Sequence, residues 1–74
     1  MIIYRVRAHP FDGEDFVYEG FEKRPEAEAY YAQLQADDRL TDNVPYKSFV
    51  VSFEALGEQG DWAMISIRTV IRDD

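Results

Sequence analysis

An alternating run over residues 48–55 constrains the fold of this chain more than any other feature. Its apolar positions recur at every second residue: Phe49, Val51, Phe53 and Ala55. Successive side chains of a β-strand point to opposite faces of a sheet, so the run predicts a strand with a strongly apolar face. A glycine-bracketed turn at residues 57–60 and a second alternating run at 62–72 follow. Together these segments predict a β-hairpin.

The N-terminal segment predicts another hairpin. Apolar residues at even positions from Ile2 to Ala8 alternate with residues that are mostly polar. Asp12 and Gly13 then form a turn signal, because glycine accepts positive φ without steric cost. Alternation resumes around Phe16 and Tyr18 and ends near residue 21, which predicts the second strand of this hairpin.

A helix is predicted to start at Pro25, because proline suits the first helical position. Its apolar residues have the i, i+3, i+4, i+7 spacing of one helix face: Ala27, Tyr30, Tyr31 and Leu34. Residues 41–45 favour a loop. The predicted fold class is therefore α+β, with a four-stranded antiparallel sheet and one helix packed on one face, in the order ββαββ. We expect a single domain over residues 1–74.

Strand parity predicts which residues lie on the face that the helix leaves uncovered. If Phe49, Val51 and Phe53 face the helix, uninterrupted alternation places Ile65 and Ile67 beside them. The opposite face then carries an apolar group and four arginines: Val17, Val50, Trp62, Met64, Val70, Arg5, Arg7, Arg68 and Arg72. An apolar cluster edged by charge is typical of a contact surface. Strong sheet twist, which would fold part of this face onto itself, is the alternative interpretation.

The length of the chain limits it to a small core. A chain of 74 residues buries only about 60% of the surface that it exposes when unfolded. It has no cysteine, which fits a reducing cytoplasm and excludes disulfide support. Association with a second copy is the remaining common source of stability, so we expect a homodimer. No apolar run has the length of a signal peptide or a membrane span, and we expect no membrane association.

Catalytic residue types are scarce. Nucleophilic catalysis needs a nucleophile and a base within hydrogen-bond reach, and the only histidine is His9. We expect the serines at 48, 52 and 66 to be solvated sheet residues and the chain not to be an enzyme. The acidic segment at residues 12–15 lacks the ligand spacing of an EF-hand loop, so we interpret it as a solvated turn. We therefore expect no metal site and no cofactor.

Net charge points to a basic partner. Fifteen acidic and eight basic side chains give a net charge of −7, which disfavours direct binding to nucleic acid. We predict a non-enzymatic protein that binds a basic surface of a protein partner, with carboxylates in place of phosphates where that partner is a nucleic-acid-binding protein. The candidate partner-binding residues lie in the helix, the following loop and the first turn: Glu26, Glu28, Asp37, Asp38, Asp42, Asp12, Glu14 and Asp15.

In size, charge and lack of catalytic groups the chain resembles the small inhibitors encoded by phages and mobile elements, such as anti-CRISPR proteins. The likeness covers no motif.

Three alternative functions stay open. The first is a homo-oligomeric binding module that uses the sheet face around Val50, Trp62 and Met64. The second is an enzyme with Glu19 and Glu54 as acid and base. The third is a nucleic-acid platform built from the arginine face and Trp62. Against it, we expect Asp15, Glu19 and Glu54 to pair with those arginines across the strands.

Overall fold

The computed structural model describes residues 1–36 and 46–71, and this part of the chain forms four strands and one helix. In chain order the elements are β1 (Tyr4–His9), β2 (Val17–Phe21), α1 (Arg24–Ala36), β3 (Ser48–Leu56) and β4 (Trp62–Ile71). The order ββαββ and the α+β class are confirmed. The predicted loop at 41–45 lies outside the described residues.

The two hairpins meet in the middle of one antiparallel sheet. Strand order across the sheet is β2-β1-β3-β4. Tyr4 in β1 pairs with Phe21 on one side and with Ala55 on the other, so β1 and β3 are central and β2 and β4 are the edges. The helix packs on β1, β2 and β3. It reaches β4 through Tyr31, whose hydroxyl lies 2.9 Å from Ser66 Oγ.

The core lies between the helix and the two central strands. Its buried apolar residues are Val6, Ala8, Ala27, Leu34, Phe49, Val51 and Phe53. Aromatic rings extend this core at both ends of the sheet: Phe16 meets Phe49 edge to face with 5.2 Å between ring centroids, and Tyr31 lies 5.7 Å from Phe53. The predicted helix stripe and the predicted buried face of the third strand are both confirmed.

The turn between β3 and β4 depends on a glycine conformation. Gly57 N donates to the Asp61 carbonyl oxygen at 2.6 Å, and Gly60 N donates to the Gly57 oxygen at 3.1 Å. Gly60 has a φ of 84°, which residues with a Cβ adopt only at a steric cost. The hairpin predicted from this glycine spacing is therefore confirmed.

A β-bulge interrupts the alternation of β4. Phe53 pairs with Ser66 and Glu54 pairs with Met64, which leaves Ile65 as an extra residue between them. A bulge of this kind shifts the side-chain alternation of one strand relative to its partner. The faces predicted for the side chains of β4 by counting alternate residues therefore cannot be right on both sides of the bulge.

The bulge corrects three positions in β4. Val70 pairs with Phe49 and Arg68 pairs with Val51, so both lie on the helix side and not on the opposite face as predicted. Ile67 pairs with Ser52 and lies on the face away from the helix, where the prediction had the reverse. We call the face away from the helix the open face. Trp62 and Met64 precede the bulge and lie on the open face, as predicted.

The position of Val17 is a further correction. Val17 pairs with Ala8 and packs against the core, whereas parity had placed it on the open face. Strand β2 begins only at Val17, and Phe16 N donates to the Ala8 carbonyl oxygen at 3.0 Å from just before the strand. The aromatic ring at 16 thus packs on the core from the loop, while Tyr18 lies on the open face. Alternation counted from Phe16 was therefore wrong by one residue.

Candidate interaction surfaces

An ion cluster occupies the centre of the open face. Glu54 in β3 accepts hydrogen bonds from Arg5 Nη2 at 2.9 Å and from Arg7 Nε at 2.8 Å, both in β1. Asp15 Oδ2 lies 3.6 Å from Arg7 Nη1. The register places Arg5 directly opposite Glu54, so strand pairing itself brings the cluster together. Asp15 and Glu54 thus pair with these arginines as predicted.

Glu54 is charged despite its burial. Its side chain is only 6% exposed. Desolvation by burial raises the pKa of this carboxyl, but the hydrogen bond from Arg5 and the positive charges of Arg7 and Arg5 outweigh it, so the pKa lies below its ordinary value. The cluster therefore joins the two hairpins through a carboxylate with two arginine partners.

The sheet face around Trp62 is largely covered within the chain. The Arg5 guanidinium carbon lies 4.1 Å from the centre of the Trp62 ring, in cation–π geometry. Val50 lies on the open face as predicted, but it is only 7% exposed. Met64 is the one residue of the predicted oligomer face whose side chain is largely exposed. Of the predicted oligomer face, Val50 is thus buried, Trp62 is covered on one side by Arg5, and Met64 remains exposed.

The structure does not assemble the predicted nucleic-acid platform in the part that it describes. Arg5 and Arg7 are engaged by Glu54, and Arg68 lies on the other side of the sheet. Arg72 lies outside the described residues. These arginines therefore do not present a common cationic surface.

The carboxylates considered as an acid and base pair lie on opposite faces. Glu19 pairs with Val6 and shares the helix side of the sheet, whereas Glu54 lies on the open face. The expected pairing of Glu19 with the arginines is wrong for the same reason.

His9 Nδ1 lies 2.7 Å from the carbonyl oxygen of Pro10, which can only accept, so this nitrogen carries the hydrogen there. Among the described residues, no group of three or more histidine and acidic side chains could hold a metal ion.

Ser52 is the other buried polar residue of the open face. It is 1% exposed, and its Oγ has no hydrogen-bond partner among the described residues. Arg5 Nε is a second buried polar atom without a partner there. Ser52 is a sheet residue between Arg7 and Ile67 in the register, but the expectation that it is solvated is wrong, because its side chain is buried.

The loop between β1 and β2 combines free carboxylates with an exposed aromatic ring. Its ends are held because Pro10 is buried and Phe16 packs on the core. Its tip is exposed from residue 11 to residue 15, and Phe11 is 66% exposed. Within the described residues, Asp12 and Glu14 have no ion-pair partner. We call residues 10–16 the acidic loop. Its carboxylates are among the predicted partner-binding residues, but Phe11 is not, although the sequence shows an aromatic residue beside a turn signal.

Glu26 and Glu28, the other predicted partner-binding residues that the structure describes, are not close to the acidic loop. Strand β1 runs from Tyr4 to the loop, and its first residue pairs with Phe21, just before the helix begins. Glu26 and Glu28, in the first turns of the helix, therefore lie toward the other end of the sheet. Glu28 also pairs with Arg24 at 2.7 Å. Asp37, Asp38 and Asp42 lie outside the described residues.

No helix in the described part of the chain combines the length and apolar character needed to cross a membrane.

Comparisons with known proteins identify no relative of this chain. No protein-family model matches the chain, and neither the curated proteins nor the solved structures contain a match. Its function must therefore be inferred from its own residues.

Proposed function

We propose that this protein is a non-enzymatic interaction protein that binds a basic surface of a protein partner through its acidic loop. The observation that carries the proposal is the exposed tip of that loop, where Phe11 projects beside Asp12 and Glu14, whose carboxylates have no ion-pair partner in the described part of the chain. Aromatic side chains are common anchors of protein interfaces, and surrounding charges steer and select the partner.

The distribution of positive charge supports the same surface. The sheet arginines Arg5 and Arg7 are engaged by Glu54, and Arg24 is engaged by Glu28. The acidic loop contains three carboxylates and no basic residue. Asp15 pairs with Arg7, whereas Asp12 and Glu14 at the tip have no ion-pair partner within the described residues, so the tip carries negative charge without a local counter-charge there. A partner surface that normally holds phosphates has the matching chemistry, and binding there would exclude nucleic acid.

The homo-oligomeric module centred on Val50, Trp62 and Met64 is a weaker candidate. Val50 is buried within the chain and Trp62 is covered by Arg5. A contact built there would have to displace or cover the ion pairs of Glu54 with Arg5 and Arg7, which is energetically unfavourable.

Affinity capture followed by charge reversal tests the proposal. The tagged protein would be incubated with nuclease-treated lysate of its source organism, and the retained protein would be purified for titration. Asp12→Lys with Glu14→Lys should weaken its binding by more than about tenfold, because like charges would then face each other. Phe11→Ala should weaken binding by a comparable factor through loss of the anchor.

The matched control reverses two exposed carboxylates at the other end of the sheet. Glu26→Lys with Glu58→Lys changes the net charge equally, and we expect it to weaken binding by less than about threefold, a long-range effect only. Equal weakening by both double variants would show that net charge, and not the acidic loop, governs binding. Unchanged binding of the loop variants would remove the loop from the proposal.

A further inference from the structure

The outer edge of β4 is long and mostly apolar. Strand β4 has ten residues, and within the described residues it pairs with β3 alone. Beyond the bulge, Ile67 is 58% exposed and Ile71 is 73% exposed. Met64 and Ile65 are exposed as well. An exposed apolar edge of this length is a template for pairing with a further strand, and proteins usually protect such edges with charge, proline or a cover.

The hydrogen-bond alternation shows which backbone groups of β4 are free. Leu56 N donates to the Ile3 carbonyl oxygen at 2.9 Å, so the even-numbered residues of β3 bond to β1. Bonded and non-bonded pairs alternate in an antiparallel ladder, so the odd-numbered residues of β3 bond to the even-numbered residues 66–70 of β4. The groups left facing outward are the N–H and C=O of Ile67, Thr69 and Ile71.

This free edge is complementary to itself. Strand β4 contains one charged residue, Arg68, in a chain of net charge −7. In an antiparallel pairing centred on Thr69, each Ile67 lies opposite Ile71 of the other copy, on the same face of the joined sheet. Arg68 lies opposite Val70 of the other copy, so no like charges meet. The outward backbone groups then form hydrogen-bonded pairs in register.

We propose that β4 pairs with β4 of a second copy of this chain around a two-fold axis at Thr69, which joins two sheets into one eight-stranded antiparallel sheet. A second copy fits because its edge supplies the same free backbone groups in the reverse direction, as a two-fold interface requires. The other edge is a poor candidate, since β2 has five residues and includes Glu19 and Gly20. The acidic loop lies on the β2 side of the sheet, so the dimer leaves it accessible.

Amide hydrogen exchange at two protein concentrations tests the pairing directly. We expect the amides of Ile67, Thr69 and Ile71 to exchange fast in dilute solution and at least about tenfold more slowly when the dimer is populated. The outward amides of the other edge, Tyr18 and Gly20, are the internal control and should not respond. An edge contact buries little area, so the concentrations should span about 5 to about 500 µM.

Sedimentation with charge variants tests the register. Thr69→Lys would place two ammonium groups opposite each other, and it should raise the dimer dissociation constant by at least about tenfold. Gln59→Lys, in the exposed turn, makes the same charge change away from the edge and should leave dimerisation intact. Circular dichroism checks that both variants fold; if Thr69→Lys does not fold, the exchange pattern of the wild-type chain decides.

Three outcomes would overturn the proposal. One is a chain that stays at 8.7 kDa at the highest concentration. Another is a dimer without slowed exchange at Ile67, Thr69 and Ile71, and the last is equal weakening by Thr69→Lys and Gln59→Lys.

The salt dependence of binding distinguishes this proposal from docking of the acidic loop. Screening relieves repulsion between two copies of charge −7, so the dimer should tighten with added salt, whereas binding to a basic partner should weaken.

Discussion

The two edges of the sheet differ in length, cover and chemistry. Strand β2 is five residues long, and the helix packs against it, with Phe21 and Tyr30 ring centroids 5.5 Å apart. Strand β4 is twice as long, and the aliphatic side chains of Ile67 and Ile71 are exposed. The helix covers one face of the sheet, and Ile67 and Ile71 lie on the other face, at the edge strand. The β2 side thus contributes to the core under the helix, whereas the β4 side carries the proposed contact with a second copy.

The strongest test of this comparison is a pair of apolar truncations. Phe49→Ala removes a fully buried ring beneath the helix and should lower the free energy of unfolding by about 3 to 5 kcal/mol. Ile67→Ala, on the open face of β4, should lower it by less than about 0.5 kcal/mol in dilute solution. Urea denaturation measures both. A large loss for Ile67→Ala at low concentration would mean that β4 is covered within the monomer.

The cluster at Glu54 tests whether the two hairpins act as one sheet. Glu54→Gln leaves Arg5 and Arg7 without their shared carboxylate and should lower the free energy of unfolding by about 1 to 3 kcal/mol. Ser52→Ala is the matched control on the same strand and face; because Ser52 Oγ lacks a partner among the described residues, we expect almost no loss. Similar losses in the two variants would show that packing, and not the ion cluster, joins the hairpins.

Acid unfolding sharpens the same point. The pKa of Glu54 is lower in the folded chain than in the unfolded chain, because the nearby arginines outweigh desolvation. Its stabilising contribution is therefore present above the unfolded value of about 4.3 and is lost as the pH falls through the folded pKa. The difference in stability between wild type and Glu54→Gln should shrink as the pH falls through this range. A difference that is constant with pH would contradict the proposed charge state.

The smallest expected effect concerns the turn that positions β4. Gly60→Ala places a Cβ on a residue with a φ of 84° and should lower the free energy of unfolding by about 1 kcal/mol. Gln59→Ala, in the same turn, is the control and should change it by less than about 0.5 kcal/mol. Thermal unfolding measures both. An unchanged melting temperature for Gly60→Ala would indicate that this turn relaxes without affecting the edge strand.

Sequence reasoning identified most of the buried surface correctly. The helix stripe with Ala27 and Leu34 and the apolar face of β3 lie in the core as predicted. Errors arose where an irregular residue shifted the alternation, at Ile65 in β4 and at Phe16 before β2. A bulge depends on which residues oppose each other across two strands, so the pattern of a single strand carries no signal for it.

The candidate surfaces were less predictable than the core. Acidic side chains are visible in a sequence, but their pairing is not; Glu54 is buried between arginines, whereas Asp12 and Glu14 are exposed at the acidic loop. The exposed ring of Phe11 was missed because an aromatic residue has the same appearance in a sequence whether it anchors a core or projects from a loop.

The sequence by itself determined the element order, the helix face, the buried face of β3 and the excess of negative charge. These properties are local or additive, because they follow from residue periodicity and composition. Only the tertiary structure decided that β1 and β3 are central, that Glu54 meets Arg5 and Arg7, and that β4 is an edge strand. Those features depend on which strands are neighbours and in what register, and a repeat of two along one strand contains no information about its neighbour.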